Sequence, residues 1–426
     1  MGRVQNSEVF KKSAIRTEAL SILEALYASI DTERVVEQMV KIVRNVLLIG
    51  EVKIPLDSID RIFVVGAGKC SPAAACALEK ILEKRITGGL ILGTKKRELC
   101  SIEMREGTHP FPSEINIQAT NELLQVIHGL TPRDLVITLI SGGGSTLLCN
   151  PRNMTCETER DVIEKMFKGG ATIEELNTIR KHISGARRGM LAYHAYPARV
   201  VSLIFSDVPG NDLGMVASGP TVRDVTTIAD ARRIMKKYSL EDEILADSLI
   251  ETVKDEKFFE RTINILAVSN DTALQAMKSS AESLGFSSTI VTNALSGEAK
   301  EIGANIIQKI KSAPAKTAYF WGGEPTVTIT HSGKGGRELE LVLAAVPQVV
   351  DGVIVVGAAS DGRDNCDFGG AICDIMTLEN ARAKKIDPVK SLNENASYKF
   401  FETVGDFILT GETGENVSDL IFALKK

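Results

Sequence analysis

Phe10, Ala14, Ile15, Ala19, Ile22, Leu23 and Leu26 recur at spacings near 3.6 and predict an opening helix with one apolar face. After it, short β-branched runs alternate with helical stretches. Arg61–Val65, Asp134–Ile140 and Arg199–Phe205 read as strands, and each runs into a small polar segment: Gly66–Lys69, Ser141–Ser145 and Ser206–Pro209. A helix is expected through AAACALEKILEK, and Thr172 with Glu175 forms a capping box that opens ATIEELNTIRKHISG. Strands separated by helices predict crossover units and a largely parallel sheet with helices on both faces. From Glu241 the charged stretch EDEILADSLIETVKDEKFFER reads as a solvated helical connection. A second set of strands is expected at Asn264–Val268, Ser288–Val291, Thr317–Trp321, Thr326–Thr330, Val353–Val356 and Phe407–Leu409. The pair flanking Gly322–Pro325 predicts a ribbon or a sharp bend, so the second sheet is expected to be mixed. The boundary is placed near residue 245, giving domains 1–245 and 246–426.

Composition narrows the class. A chain of 426 residues is long enough for two domains, each with a full core. A net charge of -5 argues against a nucleic-acid partner. No apolar run reaches the ~20 residues of a membrane span, and the charged N-terminus shows no signal peptide. Seven scattered cysteines with no CxxC pair argue against a disulfide framework or a structural zinc site. A soluble cytoplasmic enzyme is the expectation, with small molecules rather than nucleic acid or membrane as partners.

The glycines mark the candidate chemistry. In open α/β sheets the ligand crevice lies beyond the carboxyl ends of the strands. GAGKC at 66–70, SGGGS at 141–145 and SDVPGND at 206–212 all fall there. Glycine lets backbone N–H groups approach an anion, and a helix N-terminus adds a partial positive charge. GAGKC is neither a P-loop, because Cys70 follows Lys69, nor GxGxxG, because Ser71 takes the third glycine's place. Lys69 and Arg337 are both expected at helix N-termini, where a cation is comfortable only beside an anion. WGGEPTVTITHSGKGGRELE places Glu324 and Arg337 around a Gly-Lys-Gly-Gly turn that carries Lys334 and opens a helix. Asp361, Asp364 and Asp367 on a glycine-flexed loop suit magnesium-nucleotide or an ordinary surface turn about equally. His109 reads first as a structural hydrogen-bonder, and Arg180, Lys181, Arg187 and Arg188 read first as a solvated helix face.

Taken together, VVGAGK (64–69), EGTHPFPSE (106–114), ISGGGSTLL (140–148), LNTIRKHISGARRGMLA (176–192), SDVPGND with ASGPT (206–221), GGEPTVTI with KGGRELE (322–340), SDGRDNCDFGGAICD (360–374) and TGETGENVSDL (410–420) resemble the class II glycerate kinases, whose C-terminal half is called the MOFRL domain. The resemblance implies two three-layer α/β domains, the first Rossmann-like with a mainly parallel sheet and the second with a mixed one, with the active site in the cleft between them. It also implies phosphorylation of D-glycerate by ATP with Mg2+, most often to 2-phosphoglycerate. Lys69 and Arg337 match the family's proposed catalytic pair, and Asp207 matches the aspartate of its SDV segment. The loop Ser141, Gly142, Gly143, Gly144 and Ser145 matches the one thought to hold phosphate or nucleotide. Gly66, Gly68, Glu324 and Lys334 are expected beside substrate or nucleotide, and Asp361 and Asp364 beside the metal. The chain departs from the family at GGRELE, where Glu338 and Leu339 replace an amide pair, and at the Asp361–Asp367 and TGETGEN segments. Hydroxypyruvate reduction with NAD(P)H and sugar-phosphate isomerisation or binding are the rival readings, and a homodimer is left open.

Overall fold

The computed structural model describes residues 2–208, 210–240 and 247–426, so the boundary expected near residue 245 lies outside the described residues. The chain forms two compact units that do not follow its order. One holds Thr32–Ser206 and Asn211–Ala267; the other holds Met1–Asp31, Asp207–Gly210 and Val268–Lys426.

The first of these includes an antiparallel ribbon of β1 (Val40–Val43), β2 (Val46–Ile49) and β3 (Val52–Pro55). Its main sheet contains β4 (Arg61–Ala67), β5 (Ile86–Gly93), β6 (Glu103–Glu106), β7 (Asp134–Ser141), β8 (Arg199–Phe205) and β9 (Thr262–Val268). The spatial order is β6-β5-β4-β7-β8-β9, and the pairs from β6 through β8 are all parallel. Counted within the sheet this is 3-2-1-4-5-6, the order of the dinucleotide-binding α/β folds. All eight residues of β7 are buried, as a central parallel strand requires. β9 was expected among the second strands; it is instead the edge of this first sheet. The capping box at Thr172 and Glu175 is present and opens the helix Ile173–His182. That helix packs with Cys156–Lys168 and Ile228–Lys237 around Val162, Met166, Ile179 and Met235.

The second unit is built on a sheet of β10 (Ser287–Leu295), β11 (Thr317–Gly323), β12 (Val353–Ala359), β13 (Gly370–Cys373), β14 (Phe407–Ile408) and β15 (Asp419–Lys425). The order is β10-β11-β15-β12-β13-β14. β10 and β11 are parallel, whereas β15 runs antiparallel between β11 and β12, so this sheet is mixed. Thr326–Thr330 was expected to pair as a strand. It forms only one bridge, from Thr326 to Glu298, because the Glu298 carboxylate takes both the N–H and hydroxyl of Thr328 and β15 already pairs with β11.

The opening helix begins at Ala14 rather than at the first residues, with Ser13 as its cap after a short 3-10 turn at Ser7–Lys12. It belongs to the second unit because of Arg16. This arginine is fully buried and donates to both oxygens of Asp374 and both oxygens of Asp406, at 2.6–3.0 Å. Burial alone would weaken its charge, but the two carboxylates more than offset that and raise its pKa. Replacing Arg16 with methionine leaves two buried acids unpaired. We expect Arg16→Met to destabilise the second unit by about 3–5 kcal/mol, the cost of breaking a buried pair, read as an earlier transition in urea.

Candidate active site

In the first unit the chain order reverses between β4 and β7, the place where such sheets bind ligands. Their carboxyl ends carry Gly66–Lys69 and Ser141–Ser145, so the structure brings these two predicted loops together. Missing side chains allow it. A Cβ on Gly66 would lie 2.2 Å from the Leu139 carbonyl oxygen, and one on Gly68, at φ +146, would lie 1.9 Å from Ser141 Oγ. The loops are then tied by bonds: Lys69 N–H donates to the Gly142 carbonyl at 2.9 Å, and Cys70 N–H to Ser141 Oγ at 3.3 Å. Ser71, in the third-glycine place, donates its hydroxyl to the Leu139 carbonyl at 3.0 Å and starts the helix Ser71–Leu82. Lys69 itself is exposed, and among the described residues no carboxylate pairs with it.

His109 joins this loop, which the sequence reading had set down as structural. A Cβ on Gly143 would sit 3.4 Å from His109 Nε2 and 3.4 Å from Lys69 Cγ. Burial and then the Lys69 charge lower the His109 pKa, so the ring is neutral near pH 7. Its segment is held by Asn116, whose Oδ1 accepts from Thr108 N–H and whose amide donates to the carbonyls of Thr108 and Thr146. Ser145 Oγ shares a 2.9 Å hydrogen bond with Ser218, which in turn donates to Asn177. Ala217, Ser218 and Gly219 all have φ between +50 and +60, so the ASGPT turn is strained outside glycine as well.

The basic set at 180–188 is not a solvated face. Lys181, Arg187 and Arg188 are buried; Lys181 pairs with Asp224 at 3.0 Å and Arg187 with Glu159 at 2.7 Å. Burial lowers Arg188 to about 10. Partners far along the chain make that burial tolerable, which local charge pattern could not reveal.

In the second unit the carboxyl ends of β11 and β12 flank the start of β15, where Asp419 stands beside Gly323 and Ala359. Arg337 opens the helix Arg337–Ala345. Its Nε is 2.8 Å from Asp419 Oδ2, close enough for an ion pair though not aligned as a hydrogen bond, and its Nη1 is 3.7 Å from Glu324. The protein's own carboxylates therefore balance Arg337, and a bound anion is not needed to make this charge comfortable. Burial pulls the Arg337 pKa down, but Asp419 and Glu324 outweigh it and the net shift is upward. Asp207 enters this unit through its carbonyl, which accepts a 3.0 Å bond from Ser418, the neighbour of Asp419. Lys334 leans over the Tyr398 ring, 3.8 Å from its centre, and lies 3.7 Å from Asp367. The glycines around it and Arg337 line a cavity of about 340 Å3.

The two aspartates expected at a metal do not act alike. Asp364 is buried and spends its carboxylate on the N–H groups that open the Arg337 helix, including Leu339 N–H at 2.7 Å. Burial raises its pKa from 3.8 to about 6. It does not suit a magnesium ligand. Asp361 does: Oδ1 accepts from Arg363 N–H, and no bond is made by Oδ2 among the described residues. Among those residues only Glu114, Cys156 and Glu157 bring three such ligand atoms together, away from this loop. Glu338 is fully buried and neither of its oxygens has a partner. Burial, then the neighbouring Asp419, raises its pKa well above the usual carboxylate value, and burial likewise raises Asp419 to about 8.

A domain of unknown function, DUF4147, matches residues 18–254, and the MOFRL family matches residues 317–419. A D-glycerate 2-kinase of Thermotoga maritima is 35% identical over 87% of this chain and 92% of that protein. A protein of Agrobacterium vitis with the provisional name hydroxypyruvate reductase is 37% identical over 84% of this chain and 86% of its own. The crystal structure of a glycerate kinase from Thermotoga maritima matches with a TM-score of 0.88 and 32% identity, covering 97% of this chain and 100% of that one. These matches define an enzyme of the kinase class. The chain belongs to the glycerate 2-kinase family. No helix among the described residues is long and apolar enough to cross a membrane.

Two outcomes check the site's physics. Gly68→Ala should push Ser141 and the Lys69 loop apart and lower turnover by about 10²-fold, the scale of a small misplacement at a reacting centre. Asp364 binds its proton more tightly folded than unfolded, so its contribution to stability is complete below pH 3.8 and lost as pH rises through about 6. Asp364→Asn keeps an acceptor for Leu339 N–H and should flatten the fall of Tm across that window.

Proposed function

We propose that the protein phosphorylates D-glycerate with ATP, giving 2-phosphoglycerate and ADP. The observation that carries this reading is Lys69, a cation with no carboxylate partner among the described residues, at the switch point of a 3-2-1-4-5-6 sheet beside the Ser141–Ser145 loop. Phosphoryl transfer depends on positioning and charge neutralisation more than on covalent help from the protein, and the residues gathered here offer those two things. The C2 hydroxyl oxygen of glycerate bonds to the γ-phosphorus while the bond from that phosphorus to the β–γ bridging oxygen breaks. The hydroxyl proton passes to Asp207, which acts as the base. Lys69 and Arg337 offset the charge spread over the transferring oxygens. Loop N–H groups of Gly142–Ser145 approach the phosphates where no side chain intervenes. Magnesium, with Asp361 as a carboxylate ligand, would neutralise the nucleotide phosphates. The Rossmann-like strand order also admits the reductase name borne by the Agrobacterium relative, and a single comparison decides between them.

ATP with D-glycerate should yield ADP and 2-phosphoglycerate, whereas NADH with hydroxypyruvate should show no oxidation. NADH oxidation without ADP formation would overturn the reading. Lys69→Ala and Arg337→Ala should each lower kcat by roughly 10³-fold with unchanged circular dichroism. Arg337→Lys should recover little, because a point charge cannot span Asp419, Glu324 and a phosphate as a planar fork does. Near-normal turnover in either alanine variant would remove that residue from the mechanism.

A further inference from the structure

Beside the Ser141–Ser145 loop the first unit contains a cavity of about 430 Å3. Such a volume suits a drug-sized ligand and is far larger than a three-carbon acid requires. Its lining combines two chemistries. The polar part includes Ser145, Thr146, Arg180 and Arg187. Arg187 is 1% exposed, and its Nε has no partner although Glu159 holds the other side of the guanidinium. Burial, then the charge of Arg187, lowers the pKa of Arg180. The lining carries four cations, Arg160, Lys168, Arg180 and Arg187, against two carboxylates, Glu159 and Glu164, so it favours a negative ligand. It also exposes three large apolar side chains to water: Phe111 at 52%, Phe167 at 73% and Ile173 at 53%. Phe167 is otherwise anomalous, because the same helix buries Val162 and Met166.

We propose that this cavity seats the base and sugar of the nucleotide, with the ring against Phe111, Phe167 and Ile173 and the phosphate chain leaving past Arg180 and Arg187 toward Ser145. Three features select a nucleotide over other anions. The ligand must pair a planar apolar body with several negative charges. The charged end must lie next to the loop of Gly142–Ser145 that approaches phosphate. An aromatic ring exposed on one wall gains most by stacking on a second flat ring. The Ser145–Ser218–Asn177 chain of hydrogen bonds fixes this junction, since Asn177 lies one helical turn before Arg180. The proposal rests on the reading of the chain as an ATP-dependent kinase, but it can be tested without turnover.

The test is equilibrium binding of ADP and of inorganic triphosphate to the intact protein, set beside steady-state kinetics. Ile173→Trp fills the apolar part, and Phe167→Ala removes its exposed wall; both positions are exposed enough to leave folding intact. Each should weaken ADP by about tenfold or more, one lost stacking or burial contact. Triphosphate binding and the KM for D-glycerate should stay within twofold. Arg180→Ala should weaken ADP and triphosphate together. Unchanged ADP affinity in both apolar variants, an equal loss of triphosphate binding in them, or a rise in the glycerate KM alone would overturn the assignment. So would a wild-type protein that fails to bind ADP. Wild-type ADP binding that the variants weaken, without phosphorylation of glycerate, would instead sink the proposed acceptor and leave the nucleotide seat standing.

Discussion

The contact between β4 and β7 governs the first unit. These two strands run side by side in the middle of a parallel sheet, and each ends in a loop that must pass within bonding distance of the other. A side chain at Gly66 or Gly68 would occupy the space of Leu139 and Ser141. The absence of a Cβ at two positions thus lets the Lys69 loop bond to Gly142, and His109 and Lys69 both lie against Gly143. The helix Ser71–Leu82 starts from the same point, so its positive end and the Lys69 charge face the same small volume.

The second unit handles charge in the opposite way. Among the described residues Lys69 has no acidic partner, whereas Arg337 is surrounded by Asp419, Glu324, Glu338 and Asp364. Burial raises the proton affinity of three of these acids, which eases their mutual repulsion. Asp364 accepts from the helix N–H groups, and Asp419 faces the guanidinium. A guanidinium already held on one edge is oriented before any substrate arrives, so it loses less freedom when a phosphate reaches its open edge.

Much of this was legible in the sequence, and the gaps have physical causes. Gly66, Gly68 and Gly142–Gly144 announced the first loop because a backbone that needs open space shows itself in residue type. The strands β4, β7 and β8 were legible as apolar runs. β5 was not, because Gly88 and Gly89 interrupt its pattern, and the Gly89 position abuts the Val64 carbonyl of β4. TVTIT alternates like a strand, but strand pairing depends on a partner, and β15 had taken the place beside β11. Asp419 and His109 escaped because their roles come from neighbours far away in the chain: Arg337 for one, Gly143 and Lys69 for the other. The buried arginines were misread for the same reason, since Glu159 and Asp224 lie outside any local window.

The division of the chain also imposes an order in time. Residues 32–206 and 211–267 make one compact body, while the opening helix belongs with residues after 268. A ribosome adds about 5–20 residues each second, so the start of this chain precedes its end by on the order of a minute. The middle body can fold as it emerges. The opening helix waits longer: Ala19, Ile22, Leu23 and Leu26, all fully buried in the finished protein, belong with residues made after 268. During that wait Arg16 is a solvated arginine with no partner, because Asp374 and Asp406 have yet to be synthesised. The opening helix is therefore made before the middle body and secured after it.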